Sequence, residues 1–391
     1  MIKIVNKQDC CGCSACAQRC PQNCISMHRD NEGFLYPQIN EAQCINCNLC
    51  EKVCPILNTQ RPQNPLKIYA GQINNEEIRI QSSSGGIFSA VAKEIIDKGG
   101  LVFGAKFNNK WEVVFDYTNS INQLAYFRGS KYIQATIDNA YNQTEKFLKT
   151  GNIVLFTGTP CQIAGLKSFL KKDYPNLYTI DFICHGVPSP LIWKYYLQEL
   201  INQEKINKIQ NIYFRNKLRG WKNFNFLLEY TSNDKSQHIY EESYHSNIYM
   251  KAFLANLTLR PSCYNCHAKA GKSNSDLTIA DFWGIDNYFP SLNDDKGISL
   301  IYTNSAKGEL LLKDANISTT ELKSINNIED YNPGLLAHID NHPNRYRFFN
   351  DFATNKDKIA ITYLLRKHLE ISLSTKIRNK LNKVYKLLFL K

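Results

Sequence analysis

The chain has 391 residues, of which 43% are hydrophobic and 21% are charged, and its formal net charge is +12. This length and composition predict a soluble globular protein of two or three modules and exclude a disordered, collagen-like or multi-span membrane chain. Met1 is not followed by a basic and then an apolar segment, and no run of about eighteen apolar residues occurs, so we expect a cytoplasmic protein.

Ten of the fourteen cysteines lie in the first 54 residues, where one cysteine pattern occurs twice. Each copy reads C-x2-C-x2-C-x3-C-P, in which three closely spaced thiolates bind one cubane and the fourth, beside proline, reaches the other cubane. Over residues 1–58 the pattern resembles a bacterial two-cluster ferredoxin and predicts two [4Fe–4S] clusters. The predicted ligands are Cys10, Cys13, Cys16 and Cys54 for cluster 1, and Cys44, Cys47, Cys50 and Cys20 for cluster 2.

Two structural zinc sites are the alternative, because C-x2-C is also a zinc-binding spacing. Three thiols in close succession with a proline-flanked fourth favour the iron–sulfur interpretation. Cys11 and Cys24 lie outside the pattern, and we expect them to bind no metal. Between the two copies, residues 25–40 predict two short strands around an Asn-Glu-Gly turn.

The body of the protein begins after residues 59–67, a polar segment with two prolines that is typical of a linker. The sequence SSSGG precedes a predicted helix at residues 87–98, and such a loop either offers backbone N–H groups to an anion or is an ordinary helix N-cap. Residues 101–107 and 111–117 are predicted to form paired strands.

Two cysteines follow predicted buried strands. Thr159 as N-cap and Pro160 at the first helical position place Cys161 in the first turn of a helix, where the helix dipole is expected to lower the thiol pKa. Cys184 ends the next strand, and open α/β sheets bind ligands at such strand ends. With the C-x2-C of Cys263 and Cys266, four cysteines remain, enough for one more cubane. They are equally consistent with buried structural cysteines or a zinc-binding pair.

Six segments of the body resemble, in the same order, the coenzyme F420 hydrogenase/dehydrogenase beta-subunit family, including its relative that reduces hydroxymethyl chlorophyll in plants. They are SSSGGIFSAV, RGSKYIQA, FTGTPCQIAGL, DFICHGVPSP, FRNKLRGW and CYNCHAKAGKSNSDLTIADFWG. The resemblance covers roughly residues 68–340 and implies a flavoprotein with FAD and a third [4Fe–4S] cluster. The cysteines that match the family's ligands, here called cluster 3, are Cys161, Cys184, Cys263 and Cys266.

The same resemblance implies where FAD binds. The matched residues are Ser84, Gly85, Gly86, Gly129, Ser130, Lys131, Tyr132, Thr157, Gly158, Thr159 and Gln162. Backbone N–H groups and Lys131 would meet the pyrophosphate. Arg215 and Lys217 either face an anionic substrate or belong to a solvated loop, and no residue is assigned a catalytic role. No G-x-G-x-x-G motif follows a strand, so a standard nicotinamide-binding fold is not supported.

Residues 346–391 are predicted to form a basic amphipathic helical tail. Its apolar stripe consists of Leu365, Leu369, Leu373, Ile377, Leu381, Val384 and Leu388. Residues 356–391 contain ten Lys or Arg and two Asp or Glu, so the rest of the chain carries only +4 and nucleic acid is not expected as a partner. The helix would lie on an anionic membrane surface, dock onto a partner or pack against its own domain.

The predicted fold class is thus α+β and α/β. A ferredoxin fold at residues 1–58 precedes an α/β body, divided into residues 68–150 and 151–345, that binds FAD and cluster 3. The predicted function is an iron–sulfur flavoprotein oxidoreductase that exchanges electrons with a redox partner, a ferredoxin or a hydrogenase- or dehydrogenase-type subunit. Its substrate would be organic, for example a deazaflavin. The alternatives are an electron-transfer subunit without a substrate site and a zinc-binding module, which the double cysteine repeat disfavours.

Overall fold

The computed structural model describes residues 1–323 and 328–370. The strands are β1 (Ile25–Arg29), β2 (Leu35–Ile39), β3 (Lys67–Ile73), β4 (Leu101–Phe107), β5 (Val113–Thr118), β6 (Val154–Gly158), β7 (Leu177–Phe182), β8 (Ile206–Asn216), β9 (Asn225–Ser232), β10 (Gln237–Ser243), β11 (Leu277–Asp281), β12 (Ser299–Thr303) and β13 (Ile317–Glu321). The helices are α1 (Ala15–Gln18), α2 (Leu49–Lys52), α3 (Glu76–Gln81), α4 (Ile87–Asp97), α5 (Leu124–Phe127), α6 (Ala140–Lys149), α7 (Pro160–Leu170), α8 (Pro190–Gln203), α9 (Ile248–Leu254), α10 (Ile285–Tyr288), α11 (Ala306–Asp314), α12 (Ile328–Tyr331), α13 (Arg345–Asn355) and α14 (Ile361–Leu369).

The amino-terminal module contains two equivalent turns, as its repeated cysteine motif predicts. Ser14 and Asn48 occupy corresponding positions of the two motifs, and both adopt the left-handed backbone conformation, with φ of 61° and 57°. One short helix, α1 or α2, follows each of these residues and carries the third cysteine of its motif. Between the motifs, β1 and β2 pair antiparallel with Ile25 opposite Ile39, which confirms the predicted hairpin.

The body is built on an eight-stranded mixed sheet with the strand order β13-β3-β12-β11-β7-β6-β4-β5. The neighbours β4, β6, β7 and β11 run parallel, whereas the outer pairs are antiparallel. Val154, Leu155 and Phe156 of β6 are fully buried, as expected of a central strand covered on both faces. Because β3 pairs with β12 and β13, residues 68–150 and 151–345 contribute strands to the same sheet.

The largest hydrophobic core joins the body to the amino-terminal module. Trp193 of α8, Phe214 of β8 and Phe226 of β9 pack in this core, and β8, β9 and β10 form a separate antiparallel sheet. Phe34 and Val53 of the ferredoxin-like module belong to the same core. The module is therefore packed against the body, although a linker separates the two in sequence.

The carboxyl-terminal region differs from the single helix predicted over residues 346–391. Its described part forms two helices, α13 and α14, because residues 356–360 interrupt the helical conformation. Leu365 is buried and Leu369 packs against the main core, so these two residues of the stripe contact the protein itself. The remaining stripe positions, Leu373, Ile377, Leu381, Val384 and Leu388, lie outside the described residues. None of the helices in the described ranges is both long and apolar enough to cross a membrane.

The first prediction concerns the ion pair that ties α13 to the ferredoxin-like module. Arg345 Nη2 lies 2.5 Å from Glu32 Oε2, and its Nε donates to the carbonyl of Leu259 at 3.0 Å. We expect Arg345→Met to lower the free energy of unfolding by about 3 kcal/mol, because Glu32 would be left charged and unpaired in a mostly buried position. Anaerobic urea unfolding measures this change.

The control is Lys7→Met, which removes the exposed partner of Asp30 in the same module. An exposed ion pair contributes about 1 kcal/mol or less, so this variant should unfold nearly as the wild type does. Equal losses of stability in the two variants would contradict the interpretation.

Candidate functional site

The cluster 1 cysteines come together in the amino-terminal module. Burial raises the pKa of Cys16 to about 12, and the neighbouring Cys10 and Cys54 add to this shift. Cys13 interacts electrostatically with Cys16 and Cys54 as well. Thiols buried beside other thiols keep their protons unless a cation replaces them. The four residues therefore form a donor set suited to an iron–sulfur cluster, whose ligands are thiolates.

The cluster 2 cysteines line a small cavity of their own. The four predicted ligands share this cavity with Cys24, whose Sγ lies 3.3 Å from Cys20 Sγ. The backbone N–H of Ile2 donates to Cys50 Sγ at 3.4 Å, and hydrogen bonds to sulfur are among the factors that set cluster potentials. Cys47 is exposed, so this set lies nearer the protein surface than the cluster 1 set.

The turn from β6 into α7 has the predicted form. Thr159 is the N-cap with its N–H donating to Gln162 Oε1 at 2.9 Å, and Pro160 is the first helical residue. Cys161 follows in the first helical turn, and Thr159 Oγ1 lies 3.2 Å from its Sγ. The expected lowering of the Cys161 pKa is wrong, however. Contact with Cys11 and burial raise the pKa of Cys161 well above its usual value.

The other three cluster 3 cysteines converge on Cys161 from separate chain segments. Burial raises the pKa of Cys184, and Cys263, Cys161 and Cys266 contribute to the same shift. The backbone N–H of Val187 donates to Cys263 Sγ at 3.4 Å, much as Ile2 does in cluster 2. The four cysteines, all of them partly buried, thus form a third donor set.

In residues 1–323 and 328–370, no three His, Cys, Asp or Glu side chains are grouped so that they could hold one metal ion. A cubane differs from such a site because its four ligands bind four different iron atoms. The three cysteine sets are therefore described as donors for clusters.

The cluster 1 and cluster 3 sets lie next to each other across α7. Gly165 faces Cys13, since a Cβ at this glycine would lie 2.9 Å from Cys13 Cβ and 2.7 Å from Tyr141 Oη. Cys11, which the cysteine pattern left without a role, contacts both Cys13 and Cys161. Sequence spacing gave no signal for this position, because the contact depends on how the module docks onto the body.

A cavity of about 800 Å³ lies between the loop after α5 and strand β8. Gly129, Ser130 and Lys131 of the predicted flavin-binding residues line it, and its volume is within the range of small-molecule sites. Ser130 N–H donates to Ser83 Oγ at 2.7 Å, which joins this loop to the SSSGG segment. Lys131 Nζ donates to the carbonyls of Phe127, Arg128 and Gly129 at 3.1–3.3 Å. Burial lowers the pKa of Lys131 to about 7.

The other predicted flavin-binding residues do not line this cavity. Ser84 Oγ donates to the carbonyl of Ile298, just before β12, and Gly85 N–H donates to Ser299 Oγ at the start of β12. Gly86 is the left-handed N-cap of α4. Thr157, Gly158, Thr159 and Gln162 form the end of β6 and the start of α7. Their contacts with flavin stay predictions. Gln81, Ser83 and Arg128, which the sequence comparison did not single out, line the cavity instead.

Arg215 and Lys217 both bind groups within the protein. Arg215 donates to both carboxylate oxygens of Asp281, at 2.8 and 3.0 Å, and to Tyr132 Oη at 3.3 Å. Trp221 Nε1 also donates to Asp281, at 2.7 Å. Lys217 Nζ donates to three backbone carbonyls, and burial lowers its pKa to about 7. Asp281 therefore neutralises Arg215, a role that the sequence could not assign.

Two family models match the chain. Residues 151–327 match the carboxyl-terminal region of the coenzyme F420 hydrogenase/dehydrogenase beta subunit, and residues 9–57 match the 4Fe-4S dicluster domain. The two matched stretches agree with the two-cluster module and with the beta-subunit family that the sequence predicts for the body.

The chain is also similar to one protein of the F420-reducing [NiFe] hydrogenase complex from Methanosarcina barkeri, in a xenon-derivatised structure. The identity is 16%, the match covers 66% of this chain and 83% of that chain, and the TM-score is 0.44. No curated protein matches the chain.

The second prediction tests the approach of α7 to the cysteine loop. We expect Gly165→Ala to lower the free energy of unfolding by about 2 kcal/mol, because the added methyl group must displace Cys13 or Tyr141. Ser168→Ala on the same helix is the control and should leave stability nearly unchanged. Limited proteolysis would show whether residues 1–58 become more accessible to the protease in Gly165→Ala. If this variant resisted proteolysis as well as the wild type does, the close packing of α7 against the cysteine loop would be contradicted.

Proposed function

We propose that the chain is an iron–sulfur flavoprotein oxidoreductase with a third [4Fe–4S] cluster in addition to the two of its dicluster domain. The observation that carries the proposal is the convergence of four partly buried cysteines from three segments of the body. Cys161 comes from the start of α7, Cys184 follows β7, and Cys263 and Cys266 lie in or beside a short helical turn at Pro261–Asn265.

Each cluster has its own donors among the chain's residues. Cys10, Cys13, Cys16 and Cys54 would hold cluster 1, and the cavity lined by Cys20, Cys44, Cys47 and Cys50 would hold cluster 2. Bound clusters supply one-electron transfer, and bound FAD supplies the exchange between one-electron and two-electron chemistry. Contacts of Cys11 with Cys13 and Cys161 keep the cluster 1 and cluster 3 donors adjacent, as transfer between them requires.

The cavity beside β8 is the proposed FAD site. Lys131 and the loop of Gly129 and Ser130 would bind the negatively charged part of the cofactor, and Phe107, Trp111 and Tyr126 provide apolar surface in the same cavity. Tyr132 and the loops of Ser84–Gly86 and Thr157–Gln162 remain proposed contacts. The loop of Ser84–Gly86 follows Ser83, which hydrogen-bonds to Ser130 in the cavity wall.

The family description supports the proposed substrate and partner. It names coenzyme F420, a deazaflavin, and hydrogenase or dehydrogenase complexes in which members are beta subunits. A deazaflavin or another organic acceptor is accordingly the proposed substrate, and a hydrogenase- or dehydrogenase-type subunit or a ferredoxin is the proposed partner.

The alternative is an electron-transfer subunit without a substrate site of its own. It is favoured by Arg215, whose positive charge is paired with Asp281 rather than left free for an anionic substrate. Deazaflavin reduction by the purified chain with a chemical reductant separates the two functions, since the alternative predicts no turnover.

The third prediction is the iron content of protein purified without oxygen. We expect about twelve irons per chain, falling to about eight in Cys161→Ala and in Cys263→Ala, because each substitution removes a ligand of cluster 3. Cys11→Ala is the control: it removes a thiol that contacts Cys161 without being a proposed ligand, and it should keep about twelve irons. Iron and acid-labile sulfide assays give the count.

About eight irons in the wild type, unchanged by either substitution, would contradict the third cluster. Zinc in place of iron would contradict all three cluster assignments.

The fourth prediction concerns Lys131 and FAD. We expect Lys131→Met to weaken FAD binding at least about tenfold, equivalent to about 1.4 kcal/mol, because the cofactor would lose a cationic partner. In the wild type, binding should weaken as the pH rises through about 7, where Lys131 loses its proton, and the variant should lack this dependence. Flavin retained after dialysis at several pH values is the measurement.

Lys251→Met, on an exposed position of α9, is the control and should retain FAD as the wild type does. Unchanged retention in Lys131→Met would place the flavin outside this cavity.

A further inference from the structure

One buried arginine differs from the others in its partners. The arginines that are less than a tenth exposed are Arg79, Arg215, Arg260 and Arg345. Three of them form ion pairs, Arg79 with Asp294, Arg215 with Asp281 and Arg345 with Glu32. Arg260 is fully buried, yet within the described parts of the chain it makes no ion pair with a carboxylate.

The hydrogen bonds of Arg260 are satisfied by neutral groups. Its Nε donates to the carbonyl of Cys10 at 2.8 Å, Nη1 donates to Gln134 Oε1 at 3.0 Å, and Nη2 donates to the carbonyl of Leu35 at 2.8 Å. The guanidinium also lies 4.4 Å from the centre of the Tyr36 ring. These contacts fix the side chain but leave its positive charge uncompensated. Burying an uncompensated charge is costly, so an anion is expected nearby.

Arg260 lies between the cluster 1 and cluster 3 cysteines. On one side, its side chain binds the backbone of Cys10, and Gln134, which it also contacts, donates to the carbonyl of Cys11 at 3.0 Å. On the other side, its carbonyl accepts from Cys263 N–H at 3.0 Å. Its charge acts on the thiols of both Cys161 and Cys263. Thiolate-ligated clusters at these two cysteine sets would supply the matching negative charge.

We propose that Arg260 is the shared counter-cation of clusters 1 and 3. This inference rests on the proposed function for cluster 3, whereas cluster 1 belongs to the matched dicluster domain. Reduction adds one electron to a cluster and makes it more negative, and a fixed cation nearby stabilises the reduced form. Arg260 itself is neither oxidised nor reduced. It raises the reduction potentials of the two adjacent clusters and leaves the more distant cluster 2 little affected.

The test is an anaerobic redox titration of the full chain followed by EPR, on protein whose iron content has been measured. In Arg260→Gln, the equilibrium constant for reduction should fall about tenfold at clusters 1 and 3. This change lowers the reduction potential of a one-electron couple by about 59 mV. Arg260→Lys keeps the charge and should restore potentials near those of the wild type. Arg79→Gln removes a buried arginine that already has a carboxylate partner, and it should leave all potentials unchanged.

A second variant keeps the test decisive if Arg260→Gln fails to fold or to bind iron. Gln134→Glu leaves the arginine in place and puts a carboxylate beside Nη1, so the same two potentials should fall. Unchanged potentials in Gln134→Glu and in folded Arg260→Gln would overturn the inference, as would equal shifts at all three centres.

Iron content separates this inference from the proposed function. Wild-type protein with about eight irons would overturn cluster 3 and leave the effect of Arg260 on cluster 1 to be measured. Wild-type protein with about twelve irons and potentials that do not respond to Arg260→Gln would overturn the role of Arg260 alone.

Discussion

Helix α7 approaches the first cysteine loop so closely that only a glycine fits between them. Gly165 lies four residues after Cys161 in this helix. A side chain at this position would overlap Cys13 and Tyr141. One helix therefore carries a cluster 3 cysteine at its start and supports the cluster 1 loop one turn later. The shared hydrophobic core and the ion pair between Arg345 and Glu32 keep this arrangement in place. Electron transfer between the module and the body, as proposed above, would depend on it.

The docking of the module also places the cluster 1 cysteines between the cluster 2 and cluster 3 cysteines, since Cys50 acts on Cys16 and Cys11 contacts Cys13 and Cys161. Cys47 of cluster 2 is exposed, whereas Cys13 and Cys16 of cluster 1 are buried toward the body. The cluster 3 cysteines lie beyond cluster 1, and Cys161 and Cys184 follow the carboxyl ends of β6 and β7, the edge at which parallel sheets bind ligands. Among the predicted ligands only Cys47 is exposed, so the cluster 2 set is the one most accessible to a redox partner. The buried charge of Arg260 lies where two of these sets meet.

Features governed by short-range chemistry could be predicted from the sequence. The cysteine repeat, the hairpin between its copies and the Thr159-Pro160 helix start depend on residues a few positions apart, and the structure has them. Cys11 could not be assigned because it contacts Cys161, which is distant in sequence. Arg260 could not be assigned because its partners, Cys10 and Leu35, are distant as well. The same holds for Asp281, whose partner Arg215 lies on another sheet. The Cys161 pKa was predicted in the wrong direction because burial among thiols is a property of the folded protein.

Low-temperature EPR of the fully reduced protein would show whether clusters 1 and 3 are neighbours in one packed unit, as proposed. Paramagnetic clusters that lie close together broaden each other's signals. We expect Cys161→Ala, which removes a ligand of cluster 3, also to narrow and reshape the signals of the ferredoxin-like module. A variant spectrum that equals the wild-type spectrum minus one independent signal would contradict it.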